Sequence, residues 1–347
     1  MNSRIEKLLF NISKYRTQLM GMAAFGVLAH HIFTELYTSV SIPIVTQIFA
    51  RGNIGVDIFL IVSGMGLFVS ITKKDNLIEF YSRRVIKVIV PWLLMSIPYW
   101  VFMYYWQKNT DFLSLLKNLL GISFWTDGIS TTWYVQFIIV MYLIYPFIYK
   151  IQKNNSAYIN LIIIIAIFMN FLLYLIFPLW YVKVDKALTR IPAFIMGSIL
   201  GEALFAKERK NECEKKIIIY TMMTSIIFGL SPVVRKIDHE LGIMFYFFGA
   251  FGIAFIIMLL LSWLLADRNW KVLNGILCFI GKMSLEVYLL NVFIRNIIVE
   301  LNIGMKAANN LKICIMIFTS FFILIVSFIW SRINNKVSSA IEGKLKK

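Results

Sequence analysis

Charge is scarce in this chain, and the side chains that usually ligate metals are scarcer. Charged residues make up 15% of the 347, with only three cysteines and three histidines. The cysteines do not form a disulfide framework: Cys213 falls in a loop on the cytoplasmic side of the topology, and Cys278 and Cys314 lie in apolar runs. No metal-ligand spacing links Cys and His, so no metal is expected. No stretch between the apolar runs is long enough for a soluble domain, and neither low-complexity tracts nor internal repeats are evident. One membrane domain is expected over 1–347, with its core at 15–333.

Apolar residues, in contrast, make up 59% of the chain and aromatics 16%, against roughly 45–50% apolar in a soluble domain. Uncharged runs such as 154–182, 241–266, 128–149, 88–107 and 313–331 reach the ~20 residues that cross a bilayer. A large soluble helical protein is excluded by these lengths. The reading is an all-α, polytopic membrane protein of ten spans: 17–34, 55–72, 88–107, 132–149, 157–180, 187–205, 216–234, 243–265, 274–298 and 312–331. The ninth span stands apart because it carries Lys282, Glu286 and Arg295.

The Lys/Arg bias sets the orientation. These residues concentrate in the N-terminal arm, the loops near 73–87, 150–153, 207–216 and 268–271, and the C-terminal tail. Both termini are therefore expected in the cytoplasm, with a plasma-membrane location. The first span reads as a retained signal anchor, because His30-His31 and Glu35 follow it where a small-residue cleavage site belongs. The net charge of +17 reads as topology and contact with anionic lipid. It is split among short loops with no single basic face, so a nucleic-acid partner is not expected.

Ionisable groups inside a bilayer are costly and mark function. Two of the three histidines, His30 and His31, end the first span, with Glu35 beyond them. Asp57 begins the second span in Gly55-Val56-Asp57-Ile58-Phe59. On the cytoplasmic side Phe80-Tyr81-Ser82-Arg83-Arg84-Val85-Ile86-Lys87 opens the third span, and Arg16 opens the first. Cations inside, and a His with carboxylates outside, suit an anionic, phosphorylated donor from the cytoplasm and chemistry near the outer face. Between spans three and four, Phe112, Leu115, Leu116, Leu119 and Leu120 follow helical spacing, which predicts an amphipathic helix on the membrane surface. Trp133-Tyr134 then opens span four, either as an interfacial aromatic belt or as a substrate contact.

At this point the chain resembles acyltransferase family 3. The resemblance rests on Leu19-Met20-Gly21-Met22-Ala23 through His31, the Gly55–Phe59 motif with Ser63-Gly64, Phe80-Tyr81-Ser82-Arg83-Arg84 with Pro91, Trp133-Tyr134 with Tyr142 and Pro146, and Ser284-Leu285-Glu286-Val287-Tyr288-Leu289. Their order and spacing fit from about residue 15 to 330. The family implies about ten spans and transfer of an acyl group, commonly acetyl from acetyl-CoA, to an extracytoplasmic glycan. Three positions depart from it. Met20 replaces the usual Arg eleven residues before the His, Lys87 replaces the second Arg of Arg-x-x-Arg, and Asn291 stands where a His is common. Arg16 lies one turn before Met20 on nearly the same face.

The resemblance implies O-acylation of an envelope or exported saccharide from acyl-CoA, with membrane lipid as the other partner. His31 is the expected general base, since an imidazole can take the proton of a sugar hydroxyl as it attacks a thioester; the competing reading is a helix-packing histidine. His30 faces about 100° away. Asp57 and Glu286 are expected to orient or charge-balance His31. The plainer alternatives are a helix cap for Asp57 and a pair with Lys282 for Glu286. Arg16, Arg83, Arg84 and Lys87 are expected to hold the donor's phosphates, and Trp133 and Tyr134 to contact the acceptor. An exporter of a saccharide or small acyl compound is the alternative. Against it, paired Gly/Pro-broken helices in matching halves are not evident.

Overall fold

Where water is absent, a spanning segment must satisfy its own backbone N–H and C=O groups. The computed structural model is accordingly all-helical, with no strand among the described residues. These are 3–73, 76–109, 111–129, 131–206, 209–267 and 270–345; Lys74, Lys207 and Arg268, counted above among the loop cations, lie outside them. The chain passes through α1 (Ser3–Lys14), α2 (Arg16–His30), α3 (Val45–Ala50), α4 (Gly55–Lys73), α5 (Leu77–Arg84) and α6 (Val90–Trp106). Next come α7 (Phe112–Leu119), α8 (Ser123–Asp127), α9 (Trp133–Asn154), α10 (Ser156–Ile176), α11 (Pro178–Leu188) and α12 (Ile191–Phe205). The last five are α13 (Lys210–Ile237), α14 (His239–Asp267), α15 (Lys271–Lys282), α16 (Ser284–Glu300) and α17 (Asn309–Leu345).

Nine helical stretches among the described residues are long and apolar enough to cross a membrane, and α15 with α16 makes a tenth as a bent pair. Two expected spans are interrupted. The fifth stops at Ile176, because Pro178 restarts the helix from a first-turn position where its missing N–H costs nothing. The ninth breaks at Met283, and its two halves meet at 69°.

The chain divides into two compact units interleaved in sequence. One holds the residues up to Leu19, Val56–Phe80 and Phe137–Asn274. Its central helix is α12, buried along nearly all its length, as an all-round apolar helix must be. A Cβ added to Gly64 would overlap the Phe194 carbonyl, and one added to Gly197 would overlap that of Ile61. These reciprocal glycines let α4 and α12 approach backbone to backbone, which is how helices associate where no hydrophobic drive exists between them.

The other unit holds Met20–Gly55, Tyr81–Gln136 and the chain from Gly275 onward. Within it, the expected amphipathic helix forms as α7. The Asp111 side chain caps it by accepting the Leu113 N–H at 3.0 Å. Its apolar stripe turns outward, with Phe112, Leu116 and Leu120 exposed, while Asn118 is buried. That is the inverse of a soluble amphipathic helix and suits lipid outside. The connection does more than lie on a surface. At Gly121, whose φ of +73° favours glycine, an added Cβ would sit 2.9 Å from the Trp92 ring. Trp106 ends α6 and Trp92 lies in its first turn, so the segment folds back along α6.

Cysteine-accessibility labelling checks the orientation. Positions near Lys210 should be protected from outside reagents, and positions near Asp127 and His239 reactive. The opposite pattern would overturn the span order.

Candidate active site

Helix α2 brings His30 and His31 to its final turn and there widens into a π-helical turn, His31–Leu36, a deviation frequent at functional sites. Glu35 folds back onto both rings. His31 Nδ1 lies 2.6 Å from Glu35 Oε2, and His30 Nε2 lies 3.2 Å from Oε1. Arg295, from α16, forms an ion pair with Glu35, and its Nη1 lies 2.9 Å from His31 Nδ1. One ring nitrogen cannot donate to a carboxylate and accept from a guanidinium together. The carboxylate is nearer and takes the Nδ1–H, so the tautomer leaves the lone pair on Nε2.

His30 is held differently. Its Nδ1 lies 3.3 Å from the Phe49 carbonyl, and the Thr34 hydroxyl donates to the His30 carbonyl. Helical spacing turns His30 about 100° from His31, yet the rings are 5.4 Å apart and both reach Glu35. The ligand-type atoms of His30, His31 and Glu35 all lie within 4.8 Å of one another.

Asn296 steadies the arginine. Its Oδ1 accepts from Arg295 Nε at 3.3 Å and from Nη2 at 3.0 Å. Its Nδ2 donates to the Tyr99 hydroxyl at 3.1 Å and to Thr131 Oγ1 at 3.4 Å, and the Tyr99 ring stacks on Phe293 at 4.2 Å. Beside this chain of contacts lies a cavity of about 600 Å³. Glu35, Arg295, Asn296 and Glu300 border it, with the rings of Tyr99, Trp100 and Tyr104 and the amides of Gln107, Asn109 and Asn118. It combines flat apolar surfaces with many hydrogen-bonding groups.

Deeper in the same unit, Glu286 is buried in the first turn of α16 and accepts from Asn334 Nδ2 at 2.8 Å. Several buried polar atoms nearby have no partner among the described residues: Trp92 Nε1, Ser96 Oγ and Trp100 Nε1 on α6, both amide atoms of Asn291 on α16, and Ser327 Oγ and Trp330 Nε1 on α17. Trp92, Ser96 and Trp100 recur every four residues, so they form one stripe of α6. Tyr134 is buried with its ring 5.3 Å from that of Tyr288, and its N–H reaches the Tyr288 hydroxyl at 3.4 Å. Trp133 lies against Phe124. Neither Trp133 nor Tyr134 borders the cavity.

Arg83 and Arg84, both half-buried, end α5, and Lys87 is exposed on the π-helical turn Val85–Ile89 that follows. In the first unit, Arg16 is exposed at the start of α2, and Asp57 is fully buried two residues inside α4. Asp57 pairs with Arg190 at 3.4 Å. Arg190 also donates to the Lys186 carbonyl at 2.7 Å and covers the Phe247 ring at 4.4 Å. The carboxylate on His31 is thus Glu35. Its i, i+4 spacing from His31 is the sequence signal that identifies it; Arg295, Asn296 and Tyr99 have no comparable signal.

These features define an all-helical, multi-pass membrane protein whose His–Glu–Arg cluster adjoins a polar cavity. The chain belongs to acyltransferase family 3: the family model, an acyltransferase domain, matches residues 19–332. No curated protein and no solved structure matches it. Its membership makes it a membrane acyltransferase.

Proposed function

We propose that the chain transfers an acyl group, acetyl foremost, from cytoplasmic acyl-CoA to a hydroxyl of an extracytoplasmic saccharide at the plasma membrane. The observation that carries this reading is the His31–Glu35–Arg295 cluster, of which Glu35 and Arg295 border the 600 Å³ cavity and His31 stands directly behind them. That volume falls within the roughly 300–1,000 Å³ of small-ligand pockets, enough for a short saccharide. Aromatic faces with several amides are the chemistry that binds sugar rings and their hydroxyls.

In this mechanism Glu35 fixes the tautomer of His31, and Nε2 takes the proton of the acceptor hydroxyl as its oxygen attacks the thioester carbon. The C–S bond then breaks, and the imidazolium returns the proton to the departing thiolate. Arg295 keeps Glu35 ionised and adds positive charge where the tetrahedral oxyanion forms. Arg83, Arg84 and Lys87 hold the nucleotide phosphates. The unpartnered polar atoms along α6, α16 and α17 support a path for the pantetheine arm, whose amides would pair with them. Glu286 and Asp57 place buried carboxyl groups in their respective units, the first on Asn334 and the second on Arg190.

Charge reversal Arg84→Glu tests the donor side. It should weaken acyl-CoA binding at least tenfold by calorimetry in detergent, while the protein still inserts. Unchanged binding would leave these cations as topology anchors.

A further inference from the structure

The three ligand-type atoms around Glu35 have a use that acyl transfer does not require. We propose that His30 Nε2, His31 Nδ1 and a Glu35 oxygen form an inhibitory site for a divalent transition metal of the zinc class; the inhibitory half rests on the reading of His31 as base. Two imidazoles and a carboxylate are a frequent protein ligand set for zinc, with a water completing the tetrahedron. The atoms already lie within 4.8 Å of one another, so small ring rotations gather them about one ion.

The outer contact of His30 fits the same role. His30 Nδ1 faces the Phe49 carbonyl at 3.3 Å. In the tautomer that a metal selects, this carbonyl takes the Nδ1–H and the Nε2 lone pair faces Glu35, 3.2 Å away. Anchoring of the far nitrogen by a backbone carbonyl is the usual outer-shell arrangement of a metal-bound histidine. In that tautomer a cation between the two relieves the lone pair facing the carboxylate oxygen. The cation in place is the Arg295 guanidinium, which touches both Glu35 and His31 Nδ1. A metal and Arg295 therefore compete for one position.

The chemical consequence is specific. A metal on His31 Nδ1 leaves the neutral ring its only N–H on Nε2. The lone pair needed for the acceptor hydroxyl is then gone, and acyl transfer stops while the fold stays intact. No bond to substrate is involved, and a chelator reverses the effect.

The test uses the full chain, purified in detergent without a histidine tag. Co²⁺ is added and read by its visible absorption, and Zn²⁺ by calorimetry. One site per chain with tetrahedral Co²⁺ bands is expected. His30→Ala and Glu35→Gln should each weaken binding at least tenfold, whereas Arg295→Ala should tighten it by removing the competing charge. His239→Ala should change nothing, since that ring lies with Arg235 and Glu240. Unchanged thermal unfolding of each variant separates ligand loss from misfolding. Absence of binding in both the wild type and Arg295→Ala would overturn the site, as would binding indifferent to His30 and Glu35. In the activity arm, Zn²⁺ should reduce acyl transfer about 10²-fold or more, as loss of a general base does, with recovery on adding EDTA. Binding without that loss would overturn the inhibition alone. Loss of activity in metal-free His31→Ala separately tests the base, so the two failures are distinguishable.

Discussion

His31→Ala is expected to abolish acyl transfer at unchanged expression, while His30→Ala keeps much of it. Loss of a general base costs about 10²–10⁴ in rate, well beyond the effect of a modest packing defect. The two rings share a neighbour in Glu35, so the difference does not rest on who touches the carboxylate. It rests on what each second nitrogen does. His30 spends its Nδ1 on the Phe49 carbonyl, whereas His31 uses Nδ1 for Glu35 and Arg295 and leaves Nε2 for a substrate proton. The measurement is transfer of labelled acetyl from acetyl-CoA to a saccharide acceptor in membranes, normalised to protein. Full activity in His31→Ala would sink the mechanism and bring the exporter reading forward.

Glu35→Gln is expected to lower kcat by about 10²-fold, toward the smaller end of general-base effects, with little change in KM for acyl-CoA. The amide keeps the shape of the carboxylate and loses its charge. An amide NH₂ can donate to His31 Nδ1, which permits the tautomer with its proton on Nε2. It also leaves the Arg295 guanidinium without its ion pair. Steady-state kinetics with varied acyl-CoA separate this result from a donor-binding defect. A rise in KM at constant kcat would place Glu35 in binding and take the orienting role from it.

Much of the architecture is legible in the sequence, because a bilayer admits few solutions. Long uncharged runs must become helices, and the expected spans correspond to the nine long helices and the bent pair. The bend itself is not legible. Gly21 of α2 sits so close to Leu277 and Gly281 that a side chain there would overlap the Leu277 carbonyl, and such packing between distant segments leaves no local pattern. The fold-back of 111–129 along α6 is hidden for a similar reason: helical spacing announces α7 but not the Trp92 ring that Gly121 meets. Trp133 and Tyr134, readable as an interfacial belt, lie against Phe124 and Tyr288. At the candidate site, the sequence displays His31 and the cations of span nine, and even offers Glu35 at i+4. It does not reveal that Arg295 crosses to Glu35, since 260 residues separate them.

The broken ninth span bears on how the protein is built. A charge at the centre of a helix adds about 2.5–3.5 kcal/mol to the cost of insertion, and this segment carries Lys282, Glu286 and Arg295 on two short halves. Its own apolarity is a poor passport into the bilayer. Its partners come from both directions along the chain: Glu35 is synthesised long before it, and Asn334 only after it. The two halves of the segment's polar chemistry are thus separable: Arg295 meets Glu35 without α17, whereas Glu286 has its amide partner only where α17 is in place.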